Sequence, residues 1–509
     1  MVKKTDIALA AASGMFLVLS FPLFDYYALA WGALVPLLIA VRGRTIQTSF
    51  FLGLLTGFIY FAGTIYWVYH SMFYYGNVPL VFSILLLIVL SLYLALYPAV
   101  FAILFTRIGT GLPALLTAPV LWVSLEYLRT YALTGFPWSL LGYSQYQFLP
   151  LIQIADITGV YGVSFLVAAV NGAIYDMAFH WPGQVKEQPL ALRWPRTMGG
   201  VLLASVMALS LLYGAGKLGE PEGGMKIRVS LIQGNIEQDK KWDPRFQKEV
   251  MDTYKRLTAG TLAADPDLIL WPESALPFVF GYDQERTEEV RAFQKQTGTY
   301  LLLGGIIAKK DSGSDLRLSN SAVLLSPVGE ILSVYDKIHL VPYGEYVPLK
   351  ELFPFVGKMV TAIGDFVQGQ ETTVMDTPFA RIGNLICYEI IFPGLVRKFV
   401  YNGATVLATV TNDAWFGRTA APYQHFSMAR FRAVENRVPV VRAANTGISG
   451  FIDSRGRVIQ ESGIFTEGAF TEEVTPGSEK SFYALHGDIF AYACIIISLM
   501  LLILRGPAR

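Results

Sequence analysis

Residues 45–106 read TIQTSFFLGLLTGFIYFAGTIYWVYHSMFYYGNVPLVFSILLLIVLSLYLALYPAVFAILFT, 62 consecutive positions without Asp, Glu, Lys or Arg. As one helix this run would extend about 93 Å, against a hydrocarbon thickness of about 30 Å. It must therefore cross and turn back, and Gly76, Asn77 and Pro79 supply the turn chemistry between two spans. Working outward, the same test gives spans near 7–22, 27–41, 48–70, 79–105, 112–129, 158–179, 197–215 and 487–504, eight in all. The first resembles a secretory signal in length, but no small-residue cleavage site separates it from the second, so it is read as retained.

Composition agrees with the membrane reading. Of the 509 residues 53% are hydrophobic and only 16% charged, and the mean hydropathy of +0.44 excludes an ordinary soluble protein. Forty Lys and Arg balance 39 Asp and Glu, so no global field points to nucleic acid. The charges are unevenly placed, with 15 in residues 1–215, 62 in 216–488 and two in 489–509, which implies two solvents. The expected organisation is a membrane domain over 1–215 with seven spans, a soluble domain over 216–486, and a last span with its tail over 487–509. With eight spans, ten basic residues (Lys3, Lys4, Arg42, Arg44, Arg107, Lys186, Arg193, Arg196, Arg505 and Arg509) share one side, against Arg129 alone in the short loops opposite. Cytoplasmic loops carry the excess of positive charge, so both termini are expected in the cytoplasm and 216–486 outside. The aromatics of the loop that follows Glu126 and Arg129, among them Phe136, Trp138 and Tyr143, are read as interfacial anchors, with the lining of a lipid entrance as the rival.

The soluble segment is long enough for its own core and alternates strand-like with amphipathic stretches. Apolar runs at Ile227–Gln233, Leu268–Trp271, Tyr300–Gly304, Ser321–Ser326, Ile331–Val334, Arg381–Ile386, Thr405–Val410 and Val438–Val441 predict strands. Asp243–Leu262, Asp283–Thr297 and Pro422–Arg437 predict helices between them.

Most motif chemistry fails. Cys387 and Cys494 are the two cysteines, one in the soluble body and one in the last apolar span, so neither a disulfide nor a zinc spacing is formed. The five histidines, His425 among them, make no metal pattern, no GxSxG elbow is present, and Gly109–Ala114 lacks the strand a dinucleotide fingerprint needs. No metal and no cofactor are called for. Cys387, however, ends a strand-like run, Glu273 ends another within WPES, and Lys337 follows a third, and α/β proteins present reactive groups at strand ends.

In order along the chain, WPES (271–274), YDKIHLVPYGEYVP (335–348), GNLICYEIIFP (383–393) and TNDAWFG (411–417) resemble the nitrilase superfamily of carbon-nitrogen hydrolases. With apolar spans on both sides of that domain, the whole chain resembles the apolipoprotein N-acyltransferases, bacterial inner-membrane enzymes. The resemblance implies a polytopic α-helical bundle joined to an αββα sandwich, and a Glu273, Lys337 and Cys387 triad. Cys387 would be the nucleophile and Glu273 the general base, with a carboxyl pKa raised by a partly dry site. Lys337 would hold the oxyanion with the backbone N–H of Tyr388. Glu345 and Glu389 match supporting acidic positions whose alternative is a structural ion pair, and Trp242 matches a loop aromatic whose alternative is core packing. Trp415 and Phe416 would form an apolar lid loop beside the acyl chain. The implied partners are a phospholipid donor, commonly phosphatidylethanolamine, and a diacylated apolipoprotein acceptor. Two other readings stay open: a membrane-tethered carbon-nitrogen hydrolase, and a transporter or receptor with an inactive sensing domain. The second is disfavoured by the absence of ionisable residues other than His70 in 45–106.

Overall fold

The computed structural model describes residues 2–108, 112–179, 196–221, 223–310, 316–342, 344–346 and 366–504. Lys186, Arg193, Arg505 and Arg509 of the orientation argument lie outside them, as do Gly109–Gly111 and Tyr343. The chain divides into two compact units, one of residues 1–69, 80–220 and 486–509, the other of 70–79 and 221–485.

The first unit is helical. Among the described residues, four helices are long and apolar enough to cross a membrane: Ile46–Thr64, Leu80–Ile108, Val160–Ala178 and Met198–Gly219. Helices also form at Lys4–Leu19, Ala114–Tyr131 and Ile489–Leu504. The expected span over 27–41 is instead a 3-10 turn at Tyr27–Trp31 followed by a six-residue helix, Val35–Ala40. Residues 32–34 join the two and Pro36 lies in the first turn of the second. Backbone bonds from Gly32 N to Leu29 O, Ala33 N to Ala30 O and Val35 N to Gly32 O carry the chain between them, so the stretch is a short apolar helix, Tyr27–Ala40, with a 3-10 start.

Helix contacts in this unit depend on small residues. A Cβ on Gly53 would lie 2.5 Å from the Pro98 carbonyl oxygen, and one on Gly57 2.7 Å from the Ala95 Cα, so the GxxxG face of Ile46–Thr64 meets the backbone of Leu80–Ile108 directly. The loop after Ala114–Tyr131 corrects a second expectation. Trp138 and Tyr143 are buried, not interfacial. Arg129 draws the loop inward by donating to the Phe136, Trp138 and Ser139 carbonyls at 3.0, 2.6 and 3.2 Å. Glu126 accepts from Leu141 N at 2.6 Å and from the Trp122 indole at 2.9 Å. Backbone polar groups away from water need such partners.

The second unit is a two-sheet sandwich. Its strands are β1 (Ile227–Gln233), β2 (Leu268–Leu270), β3 (Val279–Phe280), β4 (Tyr300–Lys310), β5 (Leu316–Leu325), β6 (Ile331–Asp336), β7 (Val374–Asp376), β8 (Arg381–Ile386), β9 (Val406–Thr411), β10 (Val440–Ala444), β11 (Gly450–Ile452), β12 (Val458–Glu461) and β13 (Gly468–Val474). One sheet runs β13-β1-β2-β4-β5-β6 with β3 beside β4, the other β12-β11-β10-β9-β8-β7. Helices Gln247–Thr261 and Gln284–Thr297 cover the first sheet, and Pro393–Tyr401 and Ala421–Asn436 the second. Trp271 anchors the first layer: it is fully buried, stacks on Tyr254 at 5.1 Å, and donates its indole N–H to Thr258 at 2.9 Å. The parallel pairs β1–β2, β2–β4, β8–β9 and β9–β10 bring several C-terminal strand ends to one edge.

Candidate active site

Four strand ends supply the site. Beyond β2 comes Glu273, beyond β6 Lys337, beyond β8 Cys387, and beyond β9 Asn412. Glu273 fits because Gly304 in β4 has no side chain: a Cβ there would lie 2.6 Å from the Glu273 Cα. Cys387 has φ of +52°, a left-handed backbone that costs a non-glycine residue about 1–3 kcal/mol and marks positions the surroundings over-determine.

The sequence-derived triad converges. Glu273 Oε1 lies 3.3 Å from Lys337 Nζ and accepts from Asn320 Nδ2 at 2.8 Å, while its Oε2 accepts from Asn412 N at 3.0 Å. Glu273 and Cys387 lie close enough for each to shift the ionisation of the other. Lys337 Nζ donates to Glu345 Oε1 at 3.0 Å, and Glu345 Oε2 accepts from Val341 N at 2.8 Å, so Glu345 ties the lysine to its own loop. Glu273, Lys337 and Cys387 are all buried.

Electrostatics correct one expectation. Burial pushes the Glu273 carboxyl up, but Lys337, the Asn320 amide and Lys241 outweigh it, and the pKa falls below the ordinary carboxylate value instead of rising. The same charges act on Lys337: burial pulls it down, while Glu345 and Glu273 hold its ammonium well above the usual lysine range. Burial and then the Glu273 charge push the Cys387 thiol far up. These directions together favour thiol, carboxylate and ammonium in the resting site.

The supporting residues divide by what they touch. Glu389 Oε1 accepts from the Tyr335 hydroxyl at 2.7 Å, Ile338 N at 2.7 Å and His339 N at 3.0 Å, and its Oε2 accepts from Ile386 N at 2.8 Å. One carboxyl, pushed up by burial to about 7, thus staples the loop bearing Lys337 to the strand end bearing Cys387. Tyr388 is buried against Phe392, ring centroids 5.2 Å apart. Trp242 is half-buried at the end of helix Gln238–Lys241, so it is not a core side chain. Trp415 and Phe416 are half-buried, and their loop is fastened: Ser71 Oγ donates to the Trp415 carbonyl at 2.7 Å and Tyr75 meets the Trp415 ring edge-on at 5.6 Å.

Four participants escaped the sequence reading. Lys241 is fully buried and donates to the Glu273 carbonyl at 2.9 Å, with burial pulling its pKa down to about 8. Asn320 and Asn412 orient Glu273, and Asn412 is itself held by Gln238 at 2.7 Å and Asn445 at 3.0 Å. His425 lies 3.1 Å from the Cys387 carbonyl. Asn320, between Ser319 and Ser321 just before the apolar end of β5, offers one local signal, since a buried strand seldom carries an amide without a partner.

Comparison with known proteins gives two family matches. The apolipoprotein N-acyltransferase N-terminal domain model matches residues 13–173, and the carbon-nitrogen hydrolase model matches 228–482. A Geobacter metallireducens protein named apolipoprotein N-acyltransferase is 46% identical over 497 residues, covering 97% of this chain and 94% of that one. A Pasteurella multocida protein of the same name is 35% identical over 514 residues, covering 98% and 94%. Among solved structures, a nitrilase-superfamily protein of Saccharomyces cerevisiae aligns with 20% identity and a TM-score of 0.40, over 50% of this chain and 93% of its own.

Proposed function

The chain belongs to the apolipoprotein N-acyltransferase family, and on that premise we propose that it moves the sn-1 acyl chain of a phospholipid, such as phosphatidylethanolamine, through a thioester on Cys387 to the N-terminal amine of diacylglyceryl-cysteine in an apolipoprotein. The supporting observation is the buried Glu273 carboxylate, ion-paired with the Lys337 ammonium and electrostatically coupled to the Cys387 thiol. As Sγ attacks the ester carbonyl, Glu273 takes the thiol proton, so the high thiol pKa is no barrier to a coupled transfer. The tetrahedral oxyanion forms against Lys337 and the Tyr388 N–H. Its collapse breaks the ester C–O bond, and Glu273 returns the proton to the departing lysophospholipid oxygen. In the second half the acceptor amine attacks the thioester and gives its proton through Glu273 to the leaving thiolate, so an amide forms and free Cys387 returns. Glu345 and Glu389 hold Lys337 and Cys387 in register, and Trp242, Trp415 and Phe416 offer apolar surface to acyl chains.

Both substrates are amphiphiles, and a membrane protein with a catalytic unit in the same chain keeps them accessible. We place it in the bacterial inner membrane with the catalytic unit in the periplasm and both termini cytoplasmic. The test is intact-mass spectrometry after incubation with phospholipid: one added acyl group mapped to Cys387 is expected, lost in Cys387→Ala and retained in Cys494→Ala. An acyl adduct persisting in Cys387→Ala would overturn the mechanism. Release of free fatty acid instead of transfer when acceptor lipopeptide is present would make the enzyme a hydrolase.

A further inference from the structure

Behind Cys387 lies a charged cluster that none of the steps above uses. Asp413, His425 and Arg442 are each fully buried. His425 Nδ1 is 3.1 Å from Asp413 Oδ1 and 2.9 Å from Arg442 Nη2, Arg442 Nη2 is 2.9 Å from Asp413 Oδ2, and His425 Nε2 is 3.1 Å from the Cys387 carbonyl oxygen. Thr411 Oγ1 donates to Asp413 Oδ1 at 2.9 Å, and Arg442 Nε donates to the Ile448 carbonyl at 3.1 Å. Burying an ion pair is an inefficient route to stability, so the cluster calls for another explanation.

The hydrogen-bond partners fix the imidazole. A carbonyl oxygen has no proton to give, so Nε2 carries the hydrogen. Nδ1 lies between two groups of opposite demand, the Arg442 guanidinium, which only donates, and the Asp413 carboxylate, which only accepts. With the hydrogen on Nε2, the neutral ring accepts from Arg442 at Nδ1, and its approach to Asp413 is then a close contact and not a hydrogen bond. Burial and the Arg442 charge both lower the His425 pKa, while burial's upward push on Asp413 is overcome chiefly by the Arg442 charge, which leaves it at about 2.

We propose that His425 is a positioning residue for acyl transfer, acting through the Cys387–Tyr388 peptide: its Nε2–H grips the Cys387 carbonyl and thereby aims and polarises the Tyr388 N–H that receives the oxyanion. The inference rests on the reading that Cys387 is acylated. A peptide group is planar, so fixing its oxygen fixes the direction of the N–H on the opposite side. Hydrogen bonds in a chain also strengthen one another. The need is local, because φ of +52° places Cys387 outside any regular ladder and Tyr388 lies in the first turn of the 3-10 helix Cys387–Ile391, where N–H groups lack intrahelical acceptors. Arg442, donating to Nδ1 and itself held by Asp413, favours the tautomer that donates in this direction.

The test compares two reactions of the same thiol in the full-length protein in detergent micelles. Acylation by phospholipid develops an oxyanion, whereas alkylation by iodoacetamide is a displacement that does not. His425→Asn keeps an amide near Asp413 and Arg442 but falls short of the Cys387 carbonyl, and His425→Gln reaches it. Single-turnover acylation of H425N is expected to fall about tenfold, less than the roughly 100-fold to 1000-fold loss of a whole oxyanion donor, with alkylation unchanged and H425Q recovering most of the acylation rate. Equal slowing of both reactions, no slowing of either, failure of H425Q to recover, or loss of the cooperative unfolding transition in H425N would overturn the proposal. Absence of a wild-type acyl adduct on Cys387 would overturn the parent reading as well. A normal wild-type adduct with unaffected H425N would overturn this inference alone.

Discussion

At the residue scale the chemistry turns on where charge rests before reaction. Glu273 carries it, because Lys337, Asn320, Lys241 and the Asn412 N–H all favour carboxylate over acid. This separates the expected behaviour of two variants. Glu273→Gln removes the base and also one cause of the raised Cys387 pKa, while Lys337 and Lys241 remain to favour thiolate. Its acylation rate should be low at neutral pH and rise with pH as Cys387 ionises unaided. Lys337→Met removes the cation beside the oxyanion and leaves the base, so it should lose about 100-fold to 1000-fold and show no alkaline recovery. Single-turnover acylation between neutral and alkaline pH decides this, and equal recovery in both variants, or in neither, would reverse the assignment of base and oxyanion group.

At the element scale two devices stand out, strand ends gathered on one edge and helices packed through glycine. Glu389 shows the first, joining the residues after β6 to the last N–H of β8, so that two loops from different sheets behave as one wall. Gly53 and Gly57 show the second. A methyl group at Gly57 would lie 2.7 Å from the Ala95 Cα, a backbone atom that cannot swing aside. Gly57→Ala should therefore destabilise the helical unit by about 1–3 kcal/mol, the usual cost of overpacking, read as a lower Tm in detergent. Gly200, with nothing within 4 Å of the same position, is the control, and Gly200→Ala should leave Tm unchanged or raise it slightly. Equal effects at the two positions would remove the close-packing account.

At the scale of the whole molecule, one chain combines helices long and apolar enough to cross a membrane with an enzyme fold of the carbon-nitrogen hydrolase family. The uneven distribution of basic residues between its loops predicts the side on which the catalytic unit works. Protease added to intact spheroplasts should digest residues 216–486 while leaving cytoplasmic markers whole. Complete protection until the membrane is breached would place that unit in the cytoplasm and invert the proposed topology.

The sequence by itself determined where long uncharged stretches give way to a charge-rich one, since that depends on local composition. The uncharged run 45–106 and the charge-rich 216–486 needed no partner to be read. It also exposed Glu273, Lys337 and Cys387, because each follows an apolar strand within a distinctive string. Burial and long-range pairing were not legible. The stretch 27–41 has the apolarity of a span, and only backbone geometry shows it as a short apolar helix, Tyr27–Ala40, that begins as a 3-10 turn. Trp138 and Tyr143 look like interfacial aromatics until Arg129 folds their loop inward. The direction of the Glu273 pKa depended on Lys337, Asn320, Lys241 and Asn412, groups 32 to 139 residues away. His425 stood among scattered histidines until the fold set it 38 residues back along the chain against the Cys387 carbonyl. Hydrophobic pattern is a property of neighbours in sequence, whereas pKa and hydrogen-bond direction are set by neighbours in space, and for this site most of those come from other strand ends.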